Sequence, residues 1–159
     1  MRAMEHINPH VRTAGPPQFP KTDKRLLGTW KSDKRRTFLE WNWKKNSSPK
    51  RKARVKSLFG KWEFTYTRTK VISLNRHLSC EWSRCYRILG VDDSCVAIVL
   101  FGELEFKHPS KYWAEGLEIL REFSSKPTIK VIHFEKKHAW VSFGNGKNRE
   151  FFTKMQRWT

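Results

Sequence analysis

The chain has 159 residues, with 33 Lys/Arg against 15 Asp/Glu and a formal net charge of +18. That length suits one domain with a single core, and no stretch approaches the roughly 18 consecutive apolar residues of a membrane-spanning helix. Aromatic residues make up 14%, too many for a disordered chain, and they supply the apolar area that a mean hydropathy of −0.74 would otherwise deny a core.

The charge favours anionic partners, whether nucleic acid, acidic protein or anionic lipid, and opposes self-association, so a monomer is expected. It is unevenly placed. Residues 21–56 carry 14 Lys/Arg and 3 Asp/Glu, whereas 57–159 carry 17 and 11. Cys80, Cys85 and Cys95 are odd in number and spaced unlike zinc ligands, which argues against a disulfide framework. Cys80 and Cys85 are the one local pair for a bridge, and Cys95, in an apolar run, reads as a small buried hydrophobe. The first 20 residues lack a continuous apolar segment of the secretory kind, so a cytoplasmic location is expected.

Residues 1–22 contain Asn8-Pro9 and Gly15-Pro16-Pro17 without apolar periodicity and read as a flexible tail ahead of one domain over 23–159. Leu26–Lys31 reads as a first strand, with Gly28 and Trp30 on one face. Ser32-Asp33 offers a helix cap, and Phe38, Leu39, Trp41 and Trp43 suggest a short helix over about 33–43. After Asn46-Ser47-Ser48-Pro49, the run 50–60 reads as a basic helical turn ending at Gly60.

From Lys61 the period changes to two. Trp62, Phe64 and Tyr66 alternate with Glu63, Thr65 and Thr67 as a half-buried strand, and Val71, Ile72 and Leu74 mark another. Arg84–Leu89 and Ser94–Phe101 flank a hairpin loop at 90–93, and the second arm is apolar on both faces, so something covers its outside. Residues 102–127 interrupt the strands as a helical insertion, with an amphipathic helix over 110–123 carrying Trp113, Leu117, Leu120 and Phe123. Ile129–Glu135, Ala139–Phe143 and Arg149–Met155 close the chain, the last two joined through Gly144–Asn148. The expected fold is mainly β: an antiparallel up-and-down barrel of about eight strands with two or three short accessory helices, closure removing exposed sheet edges.

Gly28-Thr29-Trp30 resembles the Gly-x-Trp signature on the first strand of lipocalins and related calycins. The runs LLGTWKSD, LFGKWEFTYTRTK, IHFEKKHAWVSFGNG and REFF look like those of small bacterial lipocalin-like proteins. The resemblance implies that Trp30 plugs one end of the barrel and that Arg149, opening the last strand, stacks across its ring. It also implies a small apolar or anionic ligand inside. Eight strands either enclose one small ligand or are filled by side chains, and Trp62, Phe64, Tyr66, Tyr86, Ile88, Val131, Val141 and Phe151 are the inward candidates of the strands. The family's Thr-Asp-Tyr-like second signature is missing here.

No catalytic constellation emerges. His133 and His138 flank a turn, and His6, His10, His77 and His108 fall in loops or the tail, without metal-ligand spacing. His77 beside Cys80 or Cys85 lacks a nucleophile signature, and nothing brings Glu63 and Glu81 together. No cofactor, metal or phosphate loop is indicated. The sharpest binding candidate is Lys44, Lys45, Lys50, Arg51, Lys52, Arg54 and Lys56, preceded by Trp41 and Trp43: cations that neutralise phosphates beside rings that can stack on bases. The expected function is a non-enzymatic barrel binding a small ligand or acting as an interaction module, the alternative being nucleic-acid binding through 34–56.

Overall fold

The computed structural model describes residues 21–76, 80–107, 126–143 and 146–156. Eight antiparallel strands close into an up-and-down barrel in sequence order, β1 pairing with both β2 and β8. They are β1 (Gly28–Ser32), β2 (Trp62–Tyr66), β3 (Lys70–Asn75), β4 (Cys80–Val91), β5 (Cys95–Lys107), β6 (Thr128–Glu135), β7 (His138–Phe143) and β8 (Asn148–Lys154). Two short helices, α1 (Lys34–Leu39) and α2 (Pro49–Leu58), lie between β1 and β2. The architecture is the one expected, and among the described residues no helix is long and apolar enough to cross a membrane. The tail to residue 20, the helix foreseen over 110–123, His77 and the Gly144-Asn145 part of the last hairpin lie outside the described residues.

The core gathers Leu26, Trp30, Tyr66, Val71, Tyr86, Ile88, Val96, Ile98, Leu100, Ile132, Ala139 and Phe152. Large and small side chains alternate across it. Phe64 pairs with Ser73, which pairs with Trp82, and Trp62 pairs with Asn75, which pairs with Cys80. The small residues give the rings room, which is how a narrow barrel is filled. As a result β3 buries Val71, Ser73 and Asn75 and turns Ile72 and Leu74 outward.

Four expectations are corrected. Arg149 does not reach Trp30. The register sets Trp30 opposite Lys154, whose Nζ lies 5.3 Å from the Trp30 ring centroid, while Arg149 pairs with Ser142 and stacks at 4.1 Å over Trp140 on the outer wall. Five residues separate positions 149 and 154, roughly 16 Å of strand and opposite faces of the sheet. Val131 also points outward and is 38% exposed, because Lys130 and Ile132 hold the inward parity of β6. Phe151 is buried, but on the outside of the wall, beneath α1: Arg36 lies 4.0 Å over its ring, and its N–H donates to Thr37 Oγ1 at 3.0 Å.

The fourth correction concerns the stretch expected to interrupt the strands at residue 102. Gly102, at φ +75°, sits instead in a bulge where the β4–β5 register shifts. A positive φ costs glycine nothing, and β5 then continues to Lys107 opposite Glu81. The thiols of Cys80, Cys85 and Cys95 are free. Cys80 and Cys85 stand five residues apart on one strand and so face opposite sides. Cys95 is half-buried and donates to Asp92 Oδ2.

Candidate functional site

The β1–β2 connection carries the densest charge. Asp33 caps α1 by accepting from the Arg36 N–H at 2.9 Å, and α1 ends at Leu39, short of the expected residue 43. Trp41–Trp43 form a loop instead, pinned where the Asn42 N–H donates to Asn148 Oδ1 at 2.9 Å. Their rings join an aromatic cluster. Trp41 lies 4.9 Å from Phe59 and 6.1 Å from Phe38, and Trp43 stacks on Phe38 at 6.2 Å. Both indoles are thus half-buried, and one face of Trp43 is already taken.

Helix α2 starts cleanly: Ser48 Oγ accepts from the Arg51 N–H, and Pro49 occupies the first turn. It ends on Phe59, with Gly60 at φ +77°. Between residues 49 and 57 only Val55 is half-buried; every other residue is exposed. Lys50, Arg51, Lys52, Arg54 and Lys56 therefore surround the helix with charge, and Lys52 Nζ lies 6.0 Å from the Trp43 ring. The arrangement works against the helix itself. Lys50 with Arg54 and Lys52 with Lys56 are like-charged i,i+4 pairs. The first turn has no acidic residue and presents cations to the positive end of the helix dipole.

The second polar feature is inside. A chamber of about 40 Å³ is lined by apolar side chains around three polar ones, Tyr66, Lys130 and Glu150. Glu150, 2% exposed, accepts on Oε1 from Ser32 Oγ at 2.7 Å and from the Gly60 N–H at 2.9 Å. The end of α2 is thereby fastened to the barrel interior. Burial raises the Glu150 pKa, opposed by those two hydrogen bonds and by attraction to Lys130. Burial likewise lowers the Lys130 pKa, opposed by Glu150 and reinforced by Arg84. Lys130 Nζ lies 5.6 Å from the Phe64 ring. Arg84, 5% exposed, donates to the Gly102 and Lys126 carbonyls and to Thr128 Oγ1.

Of the expected interior residues, Phe64, Tyr66 and Val141 reach this chamber, Tyr86 and Ile88 are buried in the core, and Trp62 stacks on Phe64 at 6.1 Å. Lys130, Glu150 and Arg84 were not foreseen. The available signal was parity: Lys130 shares a face with Ile132 and Phe134, and Glu150 with Phe152. A broader depression on the outer wall of β1–β3, around Thr29, Glu63, Thr65, Ile72 and Leu74, is an open surface. There Glu63 and Glu81 flank Leu74 from neighbouring strands and are separately paired with Arg76 and Lys107. His133 stacks on Trp140 at 3.8 Å. Among the described residues no three His, Cys, Asp or Glu side chains come together as metal ligands.

Compared with protein-family models, with curated proteins and with solved structures, the chain matches none.

Proposed function

We propose that the protein is a non-enzymatic, lipocalin-like barrel that binds nucleic acid through α2 and the adjoining Lys44 and Lys45. The observation that carries this reading is α2 itself: a helix whose five cations are all exposed and mutually repelling, with Val55 the one half-buried residue between positions 49 and 57. Such a helix gains little from the fold and much from a polyanion, which relieves the repulsion and releases condensed counterions. A membrane surface fits less well, because insertion needs a wide apolar face and the α2 sequence, PKRKARVKSL, has few apolar residues among its five cations. The half-buried Trp41 and Trp43 leave limited room for base stacking, so phosphate contacts dominate. Gly28-x-Trp30 opening a closed eight-stranded barrel supports kinship with the lipocalins, whereas the position of Arg149 does not. A chamber of about 40 Å³ is far below the roughly 300 Å³ of a drug-sized ligand site, which disfavours an apolar cargo. A monomer in the cytoplasm suits this reading.

Fluorescence anisotropy with a labelled single-stranded oligonucleotide tests it. If α2 with Lys44 and Lys45 neutralises up to seven phosphates, log K should fall against log salt with a slope of magnitude about 5 or less. Changing Lys50, Arg51, Lys52 and Arg54 together to Gln should abolish binding and flatten the slope. Unchanged affinity in that variant would end the proposal.

A further inference from the structure

The order of the charges around α2 carries more information than their number. An α-helix turns roughly 100° per residue, so Lys50 and Arg54 form one row along α2 and Lys52 and Lys56 form another, roughly 200° away. Ala53 and Ser57 lie between the two rows, roughly 180° around the helix from Val55, the one half-buried residue between positions 49 and 57. Both are exposed. The Ser57 hydroxyl folds back to donate to the Arg54 carbonyl at 2.6 Å, which keeps that side of the helix low. Arg51 stands nearer Val55 and is exposed as well. The helix thus presents a crest of small side chains with a row of cations on each flank.

That cross-section matches one form of polyanion. The major groove of B-form DNA is roughly 12 Å wide and admits an α-helix, whose diameter with side chains is about 10–12 Å. Phosphates line both rims, so a helix seated there meets negative charge on two opposite flanks and base edges at its crest. Small crest residues let its backbone approach the floor. A single strand would meet only one row, and such strands are held largely by stacking on aromatic rings, whereas Trp41 and Trp43 are engaged with Phe59 and Phe38. The major groove of A-form RNA is too narrow to admit the helix. The Ser48 cap and the Gly60 bond to Glu150 hold the two ends of α2, so both rows arrive in place. We propose that α2 binds duplex DNA in the major groove, with Ala53 and Ser57 toward the base edges and one cation row on each phosphate rim, an assignment that rests on the nucleic-acid reading of this helix.

Anisotropy titrations of the full chain against one short sequence, prepared as duplex DNA, duplex RNA and single-stranded DNA, test the assignment. Duplex DNA should bind roughly tenfold or more tightly than either other form. Glucosylated hydroxymethylcytosine fills the major groove and leaves the phosphates in place, so a DNA duplex carrying it should lose affinity by a similar factor. Each flank should count. Lys50→Gln with Arg54→Gln, and separately Lys52→Gln with Lys56→Gln, should each lower the magnitude of the salt slope on duplex DNA by about 2. All four side chains are exposed, and their removal relieves like-charge repulsion along the helix, so the fold is not at stake. Equal affinity for single-stranded DNA or duplex RNA, full binding to the glucosylated duplex, or an unchanged slope in either flank variant would overturn the major-groove assignment and leave nucleic-acid binding by α2 standing. Failure of the broader reading is distinct: no form binds, or binding to every form survives the joint change of Lys50, Arg51, Lys52 and Arg54 to Gln, and either result overturns both.

Discussion

At position 30 a buried indole donates from Nε1 to the Leu26 carbonyl at 2.9 Å and lies between the Lys154 ammonium and the Phe134 ring, the latter 5.8 Å away. Trp30→Ala should therefore cost about 3–5 kcal/mol, read from the urea midpoint. Arg149→Ala, which removes an exposed cation from Trp140, should cost no more than about 1 kcal/mol; equal losses in the two variants would restore the Trp30–Arg149 pairing. Gly60 is the second sensitive residue. A Cβ there would stand 2.9 Å from Lys34 Cγ and 3.1 Å from Phe38 Cε2, at φ +77°, so Gly60→Ala should destabilise by about 1–3 kcal/mol. Glu150 adds a pH dependence. Its folded pKa is raised above 4.5, chiefly by burial, so the native state holds this proton more tightly than the unfolded chain. Its contribution to stability then falls as pH rises from about 4.5 through the folded value. Urea midpoints measured between pH 4 and 8 should show that decline, and Glu150→Gln should lack this part of it.

At the scale of elements, α2 carries the functional argument and has the weakest structural reasons to be a helix. Ten residues fall below the roughly 12–15 at which isolated helices become marginal, and its cations repel along the axis. What fixes it is local: the Ser48 cap, Pro49, and the Gly60 tie to Glu150. Ser48→Ala should therefore lower α2 helicity, costing about 1 kcal/mol, whereas a bound oligonucleotide should raise it. Cα chemical shifts of Lys50–Leu58, followed with and without oligonucleotide, check both. No movement toward helix on binding would argue that α2 is not the contact. Helix α1 differs, because it seals Phe151 with Thr37 and Arg36, and its worth is packing. The two helices were legible as two amphipathic or basic runs separated by Ser48-Pro49. The division of labour was not, because it depends on which helix finds a hydrophobic residue on the barrel wall.

For the whole molecule, a net charge of +18 sits on a closed sheet with few acidic partners. Added sodium chloride should raise the thermal midpoint by screening self-repulsion while weakening oligonucleotide binding; parallel changes in the two would contradict the electrostatic account. Strand count, hairpins, the cationic connection and the lack of an α/β alternation can all be read along the chain. Each of these is local, written in a period of two, a turn residue or a run of charge. Which face of each strand turns inward is set only when the barrel closes. Ile129, 66% exposed, and Val131 are more apolar than Lys130, yet Lys130 is the one inside. A one-residue change of register inverts a whole strand, and the register of β6 is set by its pairing with β5 and β7 rather than by its own composition. The same closure brought Glu150 beside Gly60, 90 residues away in sequence, and aligned Trp30 with Lys154 rather than Arg149. Contacts of that range come from the stagger of eight strands around the barrel, which no single stretch of sequence contains.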